Sequence, residues 1–332
     1  SSKGGGFNFN KSGTRFSDVP FLINRISFFI PHTKRTHTIS MNDATHKFGY
    51  VALIGRPNAG KSTLLNYLLG TKLAAVTPKP QTTRNRIFGI FDREDAQIVF
   101  QDTPGLLEPD DAMHAFMVRE AERALEDADV AVWLIDGIKG VTARERAITG
   151  EKIAGLRVPL LIAFNKVDKV PLDQRMAMRD GLQGLELPPG TRESSIFYIS
   201  SLYGSGVDEL LRAVLDQIPE GPKMYPPDQL SDRTQRFFVA EIIREKAFLL
   251  LRQELPYALA VQVESMKERE NGVTAIQAVM HVERDTQKGI LVGKQGAMIK
   301  AIGMEARKEL ETMLGTKVFL ELWVKVSEQL RK

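Results

Sequence analysis

A loop with two glycines, directly after an apolar run, constrains the fold of this chain more than any other feature. The run Tyr50–Ile54 is followed by Gly55-Arg-Pro-Asn-Ala-Gly-Lys-Ser62, which fits the pattern G-x-x-x-x-G-K-[ST]. Between a strand and a helix, such glycines let backbone N–H groups curl around phosphate oxygens, and the helix presents its positive end to them. We therefore predict a nucleoside triphosphate site that uses Gly55, Asn58, Ala59, Gly60, Lys61, Ser62 and Thr63.

Short apolar runs alternate with amphipathic stretches over the first two-thirds of the chain. Continuous apolar strands separated by helices indicate a parallel sheet that is covered on both faces. An additional strand can come from Ile87–Phe91. We predict an α/β domain with a mostly parallel sheet, whose further strands are Ala96–Phe100, Val130–Ile135, Leu160–Phe164 and Ile196–Ile199.

The base of the nucleotide is indicated by Asn165-Lys166-Val167-Asp168, at the end of a predicted strand. A carboxylate at Asp168 can accept both the N1–H and the exocyclic N–H of guanine, whereas adenine would point an acceptor at it. Such a mismatch leaves buried polar groups unpaired and costs binding energy. GTP is thus preferred over ATP, and the last strand would close over the guanine with Ser200, Ser201 and Leu202.

A second group of residues is placed to hold Mg²⁺ and the γ-phosphate. Asp102, in Asp-Thr-Pro-Gly, would hold the ion through water, and the Gly105 N–H would meet the γ-phosphate. The stretch Gln-Thr-Thr-Arg at 81–84 offers a second hydroxyl beside that of Ser62, and we favour Thr83 over Thr82. The predicted metal set is Ser62, Thr83 and Asp102.

These five segments, in this order, resemble the nucleotide motifs of the translation-factor-like GTPases. Ala-Val-Thr-Pro-Lys-Pro-Gln-Thr-Thr-Arg-Asn-Arg at 75–86, with Asp-Thr-Pro-Gly-Leu at 102–106, looks like the Era branch. The last segment departs slightly, because Ser201 stands where the family usually has Ala. We expect that change to be tolerated.

The rate of hydrolysis depends on the residue after Gly105, which is Leu106 and cannot polarise an attacking water. Without such a group or an arginine finger, we expect a turnover of about 10⁻⁴ to 10⁻² s⁻¹. In related GTPases a loop Asn helps to seat K⁺ in place of an arginine finger, and Asn58 matches that position. The predicted catalytic residues are Lys61, Asn58, Thr83 and Gly105. The alternative is an RNA-binding module that holds the nucleotide only as a structural ligand.

The segment Pro219–Asp228 contains four prolines and predicts a linker to a second, α+β unit. We divide the chain into an N-terminal extension at 1–47, a GTPase domain at 48–218, the linker and a second domain at 229–328. The elements predicted for the second domain are a helix at Asp232–Leu251, strands at Ala258–Glu264 and Ala275–Glu283, a glycine loop at Gly293–Gly296, a helix at Ala297–Leu314 and a strand at Lys317–Val326.

The glycine loop has the spacing G-x-x-G, with which a KH domain clamps the backbone of single-stranded nucleotides. Between Thr286 and Met304 the chain has three lysines and no acidic residue, which suits phosphate. The predicted RNA contacts are Lys288, Gly293, Lys294, Gln295, Gly296 and Lys300. The unit is similar to the type II KH domain of Era at 231–237, 242–246, 254–257 and 321–326. That resemblance, which spans about 48–326, implies binding near the 3′ end of small-subunit ribosomal RNA (16S-type) and a role in 30S subunit assembly.

Charge is unevenly distributed along the chain. Residues 1–40 carry +5, residues 41–222 carry −4 and residues 223–332 carry +3, within a total of +4. The basic first 40 residues permit an organelle transit peptide, but an expression remnant or a start upstream of Met41 explains them equally well. They also leave open a GTPase that associates with a membrane. We otherwise expect a monomer in the cytoplasm.

Several other residues give weaker signals. The chain has no cysteine, which excludes disulfides, thiolate zinc sites and a cysteine nucleophile. The five histidines show no ligand spacing. We expect Trp133 and Trp323 to lie in the core. Arg233 and Arg236, at the start of the predicted long helix, could form an ion pair at its cap or contact RNA.

Overall fold

A computed structural model of the chain describes residues 46–77, 82–106, 112–251 and 259–327. Its first part contains a six-stranded sheet with the strand order β2-β3-β1-β4-β5-β6. All neighbouring strands pair in parallel except β2 and β3, which are antiparallel. The strands are β1 (Lys47–Ile54), β2 (Ile87–Asp92), β3 (Ala96–Asp102), β4 (Val130–Asp136), β5 (Leu160–Asn165) and β6 (Ile196–Tyr198).

Helices cover this sheet on both faces, as its continuous apolar strands predict. One face packs with α1 (Lys61–Leu69) and α5 (Val207–Gln217) through a core that contains Leu64 and Leu210. The other face packs with α2 (Ala112–Glu126) and α3 (Ala143–Ala154). A short helix, α4 (Leu172–Arg175), follows β5. The mostly parallel α/β fold is confirmed.

The register of the strands brings polar residues to one edge of the sheet. Leu53 of β1 pairs with Asp102 at the end of β3, and Asp136 at the end of β4 pairs with Asn165 at the end of β5. Because the carboxyl ends of parallel strands lie at the same edge, these side chains meet beside the loop that follows β1.

The C-terminal part forms a three-stranded sheet, β7-β8-β9, with β7 antiparallel and β9 parallel to β8. The chain order α-β-β-α-α-β confirms the type II KH fold. The elements are α6 (Gln235–Leu250), β7 (Ala260–Glu268), β8 (Thr274–Val282), α7 (Asp285–Val292), α8 (Ala297–Leu314) and β9 (Val318–Val326). Its core joins α6, α7 and α8 to the sheet through residues such as Ile243, Leu291 and Ile302.

Three details of the sequence-based prediction were wrong. Helix α7 was not predicted, since it has only eight residues and its Gly289 and half-exposed Ile290 obscure the helical pattern. Trp133 is fully buried as predicted, but Trp323 is 45% exposed because it lies on the outer face of the edge strand β9. The long helix begins at Gln235, where the Thr234 hydroxyl accepts from the Phe237 N–H, three residues later than predicted.

The linker is packed against the first domain. The side-chain oxygen of Gln97 in β3 accepts from the backbone N–H groups of Met224 at 2.9 Å and Tyr225 at 2.8 Å. Phe238 of α6 is buried in the core that α1 shares with the six-stranded sheet. The two domains therefore share an ordered interface, whereas the boundaries proposed for them stay predictions.

Arg233 lies at this interface. Its guanidinium donates to the backbone carbonyl of Arg86 at 3.0 Å and stacks on the Phe237 ring at 5.3 Å. The predicted ion pair at the cap has its partner in Asp232, whose Oδ1 lies 3.9 Å from Arg233 Nε, while an RNA contact stays a prediction.

Within the described ranges, no helix is long and apolar enough to cross a membrane. Of the predicted N-terminal extension, only residues 46 and 47 lie within the described ranges. Gln81 and Ala258, the first residue of one predicted strand, also lie outside those ranges.

Candidate nucleotide and RNA sites

The loop after β1 requires glycine for steric reasons. Gly55 has φ +138°, and a Cβ there would lie 2.2 Å from the Leu134 carbonyl oxygen. Gly60 has φ +103°, and a Cβ there would lie 2.1 Å from Nδ2 of Asn165. Asn58 also adopts a left-handed conformation, with φ +64°, which Asn tolerates better than most residues. The loop is therefore pressed against β4 and the end of β5.

Lys61, the first residue of α1, is 5% exposed and folds back over the loop. Its Nζ donates to the carbonyls of Gly55 and Arg56, both at 2.9 Å. Burial lowers the pKa of Lys61 to about 8, and the nearby carboxylates of Asp102 and Glu145 oppose that shift. A polyanion in front of the loop would replace the two carbonyls and stabilise the charged amine.

The three residues predicted to hold a metal lie together. Oδ2 of Asp102 accepts from Ser62 Oγ at 2.7 Å and from Thr83 Oγ1 at 3.3 Å, and the two hydroxyls are 3.0 Å apart. Burial raises the pKa of Asp102 to about 6. Its Oδ1 is buried and has no hydrogen-bond partner among the described residues. This all-oxygen set, with one unsatisfied carboxylate oxygen, fits a hydrated Mg²⁺ ion.

Asn165 joins the nucleotide loop to the predicted guanine segment. Its Nδ2 donates to the Ala59 carbonyl at 2.8 Å, and its Oδ1 accepts from the backbone N–H groups of Lys166 at 2.8 Å and Ser201 at 2.9 Å. Asp168 accepts from Ser200 Oγ at 2.6 Å. The side chains of Asn165 and Asp168 are thus held in place by the loops that would enclose a base.

An open cleft of about 470 Å³ lies between these segments, within the roughly 300–1,000 Å³ of small-molecule sites. Four of the predicted residues are buried and do not line this cleft: Gly55, Ala59, Asp102 and Ser200. Those that line it are Asn58, Gly60, Lys61, Ser62, Thr63, Thr83, Gly105, Asn165, Lys166, Asp168, Ser201 and Leu202.

Sequence reasoning missed Asp136. This residue ends β4, is 8% exposed and accepts from Lys166 Nζ at 2.7 Å, while the same Nζ donates to the Asn58 carbonyl at 2.5 Å. Lys166 therefore links the guanine segment directly to the phosphate loop, and Asp136 holds the Lys166 ammonium in place for that contact. The signal was a carboxylate at the carboxyl end of a buried strand, beside Asp102 and Asn165.

Leu106 lies where its side chain cannot serve hydrolysis. It is 2% exposed, packs in the core that includes α2 and α3, and donates its backbone N–H to the Gly55 carbonyl at 3.1 Å.

The G-x-x-G loop projects between α7 and α8. Gly293, Gln295 and Gly296 have positive φ values of 71°, 51° and 78°. A Cβ on Gly296 would meet nothing within 4 Å, so its backbone is open to a ligand. Gly293 instead fits closely against Met298 of α8, since a Cβ there would lie 2.8 Å from the Met298 Cβ.

The predicted RNA-binding lysines surround this loop. Lys288 on α7, Lys294 in the loop and Lys300 on α8 are all exposed, as is Gln295. Ile290, in the same stretch, is 50% exposed. The surface thus combines lysine charge, open backbone and an apolar side chain, which suits a nucleic acid strand.

Comparisons with known proteins identify the family of each of the two domains. Residues 50–166 match the family model described as 50S ribosome-binding GTPase, and residues 254–330 match that of the KH domain. The chain is 45% identical to GTPase Era of Geobacter sp. (strain M21) over 287 residues, which is 86% of this chain and 95% of that protein. It is 44% identical to GTPase Era of Thermotoga maritima over 288 residues, or 86% and 94%.

Two solved structures are similar over almost their whole length. One is Era in complex with MgGDPNP and nucleotides 1506–1542 of 16S ribosomal RNA, with a TM-score of 0.81 and 40% identity, covering 86% of this chain and 96% of that one. The other is Aquifex aeolicus Era bound to GDP.AlF4−, with a TM-score of 0.80, 41% identity and the same two coverages.

Fold, motifs and family matches define the chain as a P-loop GTPase with a C-terminal KH domain. Sequence identity above 40% over most of its length also specifies the family within this class. The chain belongs to the GTPase Era family.

The contact between Gly60 and Asn165 gives a direct test of the cleft. We expect Gly60→Ala to weaken GDP binding by more than about tenfold, because a side chain at this φ costs about 1–3 kcal/mol and displaces Asn165. Gly70→Ala is the matched control, since Gly70 has φ +63° and open space around it. The control should lose about 1 kcal/mol of stability and bind GDP normally. Titration with a fluorescent GDP measures both, and wild-type affinity in Gly60→Ala would contradict this geometry.

Proposed function

We propose that the chain is a slow GTPase that binds small-subunit ribosomal RNA near its 3′ end and acts in 30S subunit assembly. The observation that carries the proposal is the presence, in one chain, of a Ser62–Thr83–Asp102 cluster that suits Mg²⁺ and an open G-x-x-G loop beside exposed lysines. It is supported by the similar Era structure with MgGDPNP and a 16S ribosomal RNA fragment.

In the nucleotide site, the roles follow from position. The backbone of Gly55–Thr63 would surround the phosphates of GTP or GDP, and Lys61 would reach the β and γ phosphates. Ser62 and Thr83 would bind Mg²⁺ directly, while Asp102 would do so through water. Bound Mg²⁺ neutralises the charge that develops on the phosphate oxygens during hydrolysis.

Base selection falls to Asp168, held by Ser200. Its carboxylate accepts the two N–H groups of guanine, and Asn165, Lys166, Ser201 and Leu202 enclose the ring. Because the same carboxylate meets an acceptor on adenine, ATP would cover the Asp168 charge with a base that offers it no matching pair of donors.

The residue after Gly105 cannot assist hydrolysis, because Leu106 is apolar and buried in the core. Other groups therefore have to stabilise the reacting phosphate. The Gly105 N–H, Lys61 and Thr83 supply charge stabilisation around the γ-phosphate. We propose that K⁺, seated at Asn58, supplies the remaining positive charge.

In the KH domain, the amides around Gly293 and Gly296 take the RNA backbone. Lys288, Lys294 and Lys300 neutralise neighbouring phosphates, and Gln295 lies at the tip of the loop beside them.

The segment that carries Thr83 is also held by the KH domain. Arg244 of α6 is 3% exposed and donates to the Thr82 carbonyl at 2.6 Å. One residue beyond Thr83, Arg84 donates to the Leu259 carbonyl at 2.8 Å, next to the start of β7. Thr83 therefore lies between two contacts that join the GTPase domain to the KH domain.

A charged network extends this connection to the RNA side. Lys72, which precedes the Thr83 segment, bonds Glu245 of α6 and Glu309 of α8, each at 2.6 Å. Glu245 also accepts from the Val76 N–H at 3.2 Å. Since α8 begins directly after the G-x-x-G loop, we propose that nucleotide-dependent movement of the Thr83 segment reaches the RNA surface through α6 and α8.

We place this activity in the cytoplasm of a bacterial-type cell, with the chain acting as a monomer. Import into an organelle and peripheral membrane association depend on residues 1–40 and stay predictions. Liposome pelleting of the full chain and of a chain that starts at Met41 tests the membrane alternative.

Phosphate release under multiple turnover tests the proposed function. We expect about 10⁻⁴ to 10⁻² s⁻¹ for the protein alone, stimulation by a fragment from the 3′ end of 16S ribosomal RNA, and no activity in Lys61→Ala. A higher kcat in KCl than in NaCl is expected if Asn58 seats K⁺, and equal values would remove K⁺ from the mechanism. Absence of any RNA effect on either turnover or nucleotide affinity would contradict the coupling.

Arg84 and Arg86 provide a matched test of the interdomain contacts. Arg84→Gln removes the bond to Leu259, whereas the hydrogen bonds of the Arg86 side chain within the described residues go to Gln101 and Asp127 of the first domain. We expect Arg84→Gln to bind GTP and GDP within about twofold of wild type but to reduce RNA stimulation at least about fivefold, a loss of roughly 1 kcal/mol of coupling. Arg86→Gln should retain stimulation. Equal stimulation in both variants would show that these contacts do not transmit the nucleotide state.

A further inference from the structure

Arg56, in the nucleotide loop, is attached to helix α3. Its Nη1 donates to Thr142 Oγ1 at 3.1 Å and lies 3.8 Å from Glu145 Oε2. The guanidinium side chain is 31% exposed, but that of Glu145 is only 1% exposed. A buried carboxylate and a hydroxyl at the start of α3 thus fix one residue of the phosphate-binding loop.

Helix capping alone would explain part of this arrangement. Thr142-Ala-Arg-Glu145 has the capping-box pattern, and Thr142 Oγ1 accepts from the Glu145 N–H at 3.2 Å. A capping box accepts Gln as well as Glu at its last position, however, and it does not require a buried charge.

The charge on Glu145 is costly where it lies. Burial raises the pKa of Glu145 to about 7, against the lowering effects of Arg56, the Trp133 indole N–H and Lys61. The Oε1 atom of Glu145 is buried and accepts no hydrogen bond of normal geometry from the described residues. A carboxylate that is harder to ionise in the folded protein than in the unfolded chain reduces stability, so its presence calls for a role other than capping.

The residues that follow Arg56 contact the segment around Gly105. A Cβ on Gly105 would lie 2.3 Å from the Pro57 nitrogen, so the two backbones are in close contact. Asn58, next in the loop, is the residue proposed to seat K⁺. A shift of Arg56 would therefore be passed to Pro57 and Asn58, beside the segment that carries Gly105.

We propose that Glu145 and Thr142 are positioning residues for GTP hydrolysis, which anchor Arg56 and thereby hold Pro57 and Asn58 in place beside the γ-phosphate. The proposal rests on the nucleotide roles given above. Neither residue touches the nucleotide, and both act through Arg56.

Glu145→Gln tests the anchor, because Gln keeps the cap and the size of the side chain and removes only the charge. We expect kcat to fall about tenfold, as for a small misplacement of catalytic groups, while the affinity for GDP changes less than about twofold. GDP lacks the γ-phosphate, so a small shift of Pro57 and Asn58 on that side of the loop should change GDP affinity much less than GTP hydrolysis. The matched control is Glu151→Gln, an exposed carboxylate on the same helix, which should behave as wild type.

Stability should change in the opposite direction to activity. Because the pKa of Glu145 is raised from 4.5 to about 7, the folded protein loses stability as the pH rises through that interval and the loss is complete above it. Glu145→Gln should therefore melt no lower than wild type at pH 8, and any advantage should shrink towards pH 5. A residue that only supports the fold would show lower stability together with lower activity.

The outcomes separate this inference from the proposed function. If wild type hydrolyses GTP and Glu145→Gln hydrolyses it equally fast, the anchor is wrong and the GTPase account stands. The anchor is also wrong if GDP affinity falls as much as kcat. If Glu145→Gln does not fold, Arg56→Gln replaces it and should show the same separation of kcat from GDP affinity; wild-type kcat in that variant overturns the proposal.

Discussion

The structure depends on a buried carboxylate that the protein alone does not satisfy. Asp102 ends a strand whose seven residues are all buried, and only one of its two oxygens has partners among the described residues. A charge in such a place is costly unless a cation or further donors meet it. A hydrated Mg²⁺ ion would meet that need, and Ser62 and Thr83, from two different segments, would be its direct ligands. Occupancy of the cleft is thereby linked to the position of the Thr83 segment.

That segment is shared between two domains. On one side Thr83 bonds Asp102, and on the other its neighbours Thr82 and Arg84 bond Arg244 and the Leu259 carbonyl. The guanidinium groups of Arg84 and Arg244 lie 5.9 and 5.2 Å from the centroid of the same Phe248 ring. Close packing of two cations is unfavourable, and burial together with Arg244 lowers the pKa of Arg84 to about 10. The proximity of the two cations therefore reduces the stability that the hydrogen bonds give this interface.

Much of the fold and of the nucleotide site could be predicted because both depend on local patterns. The strands that carry Asp102 and Asn165 begin as continuous apolar runs. In the loop at Gly55–Ser62, steric contacts require glycine at fixed positions, so the motif can be recognised by its spacing. Features that depend on tertiary contacts were not predictable in the same way. Asp136 matters because strand order places it beside Lys166, and Trp323 is exposed because it lies on the face of β9 opposite the residues that pack against the helices. Glu145 looks like an ordinary capping residue until its distance to Arg56 is known.

We propose a coupling in which nucleotide bound at Lys61, Asp102 and Asp168 governs how the KH domain holds RNA. Its most direct test is the affinity of the full chain for a fragment from the 3′ end of 16S ribosomal RNA, measured with Mg²⁺ and a non-hydrolysable GTP analogue and again with GDP. Coupling of 1–3 kcal/mol predicts affinities that differ by about 5- to 150-fold, with the analogue giving the tighter complex. Equal affinities in the two nucleotide states, with both nucleotides bound, would contradict the account.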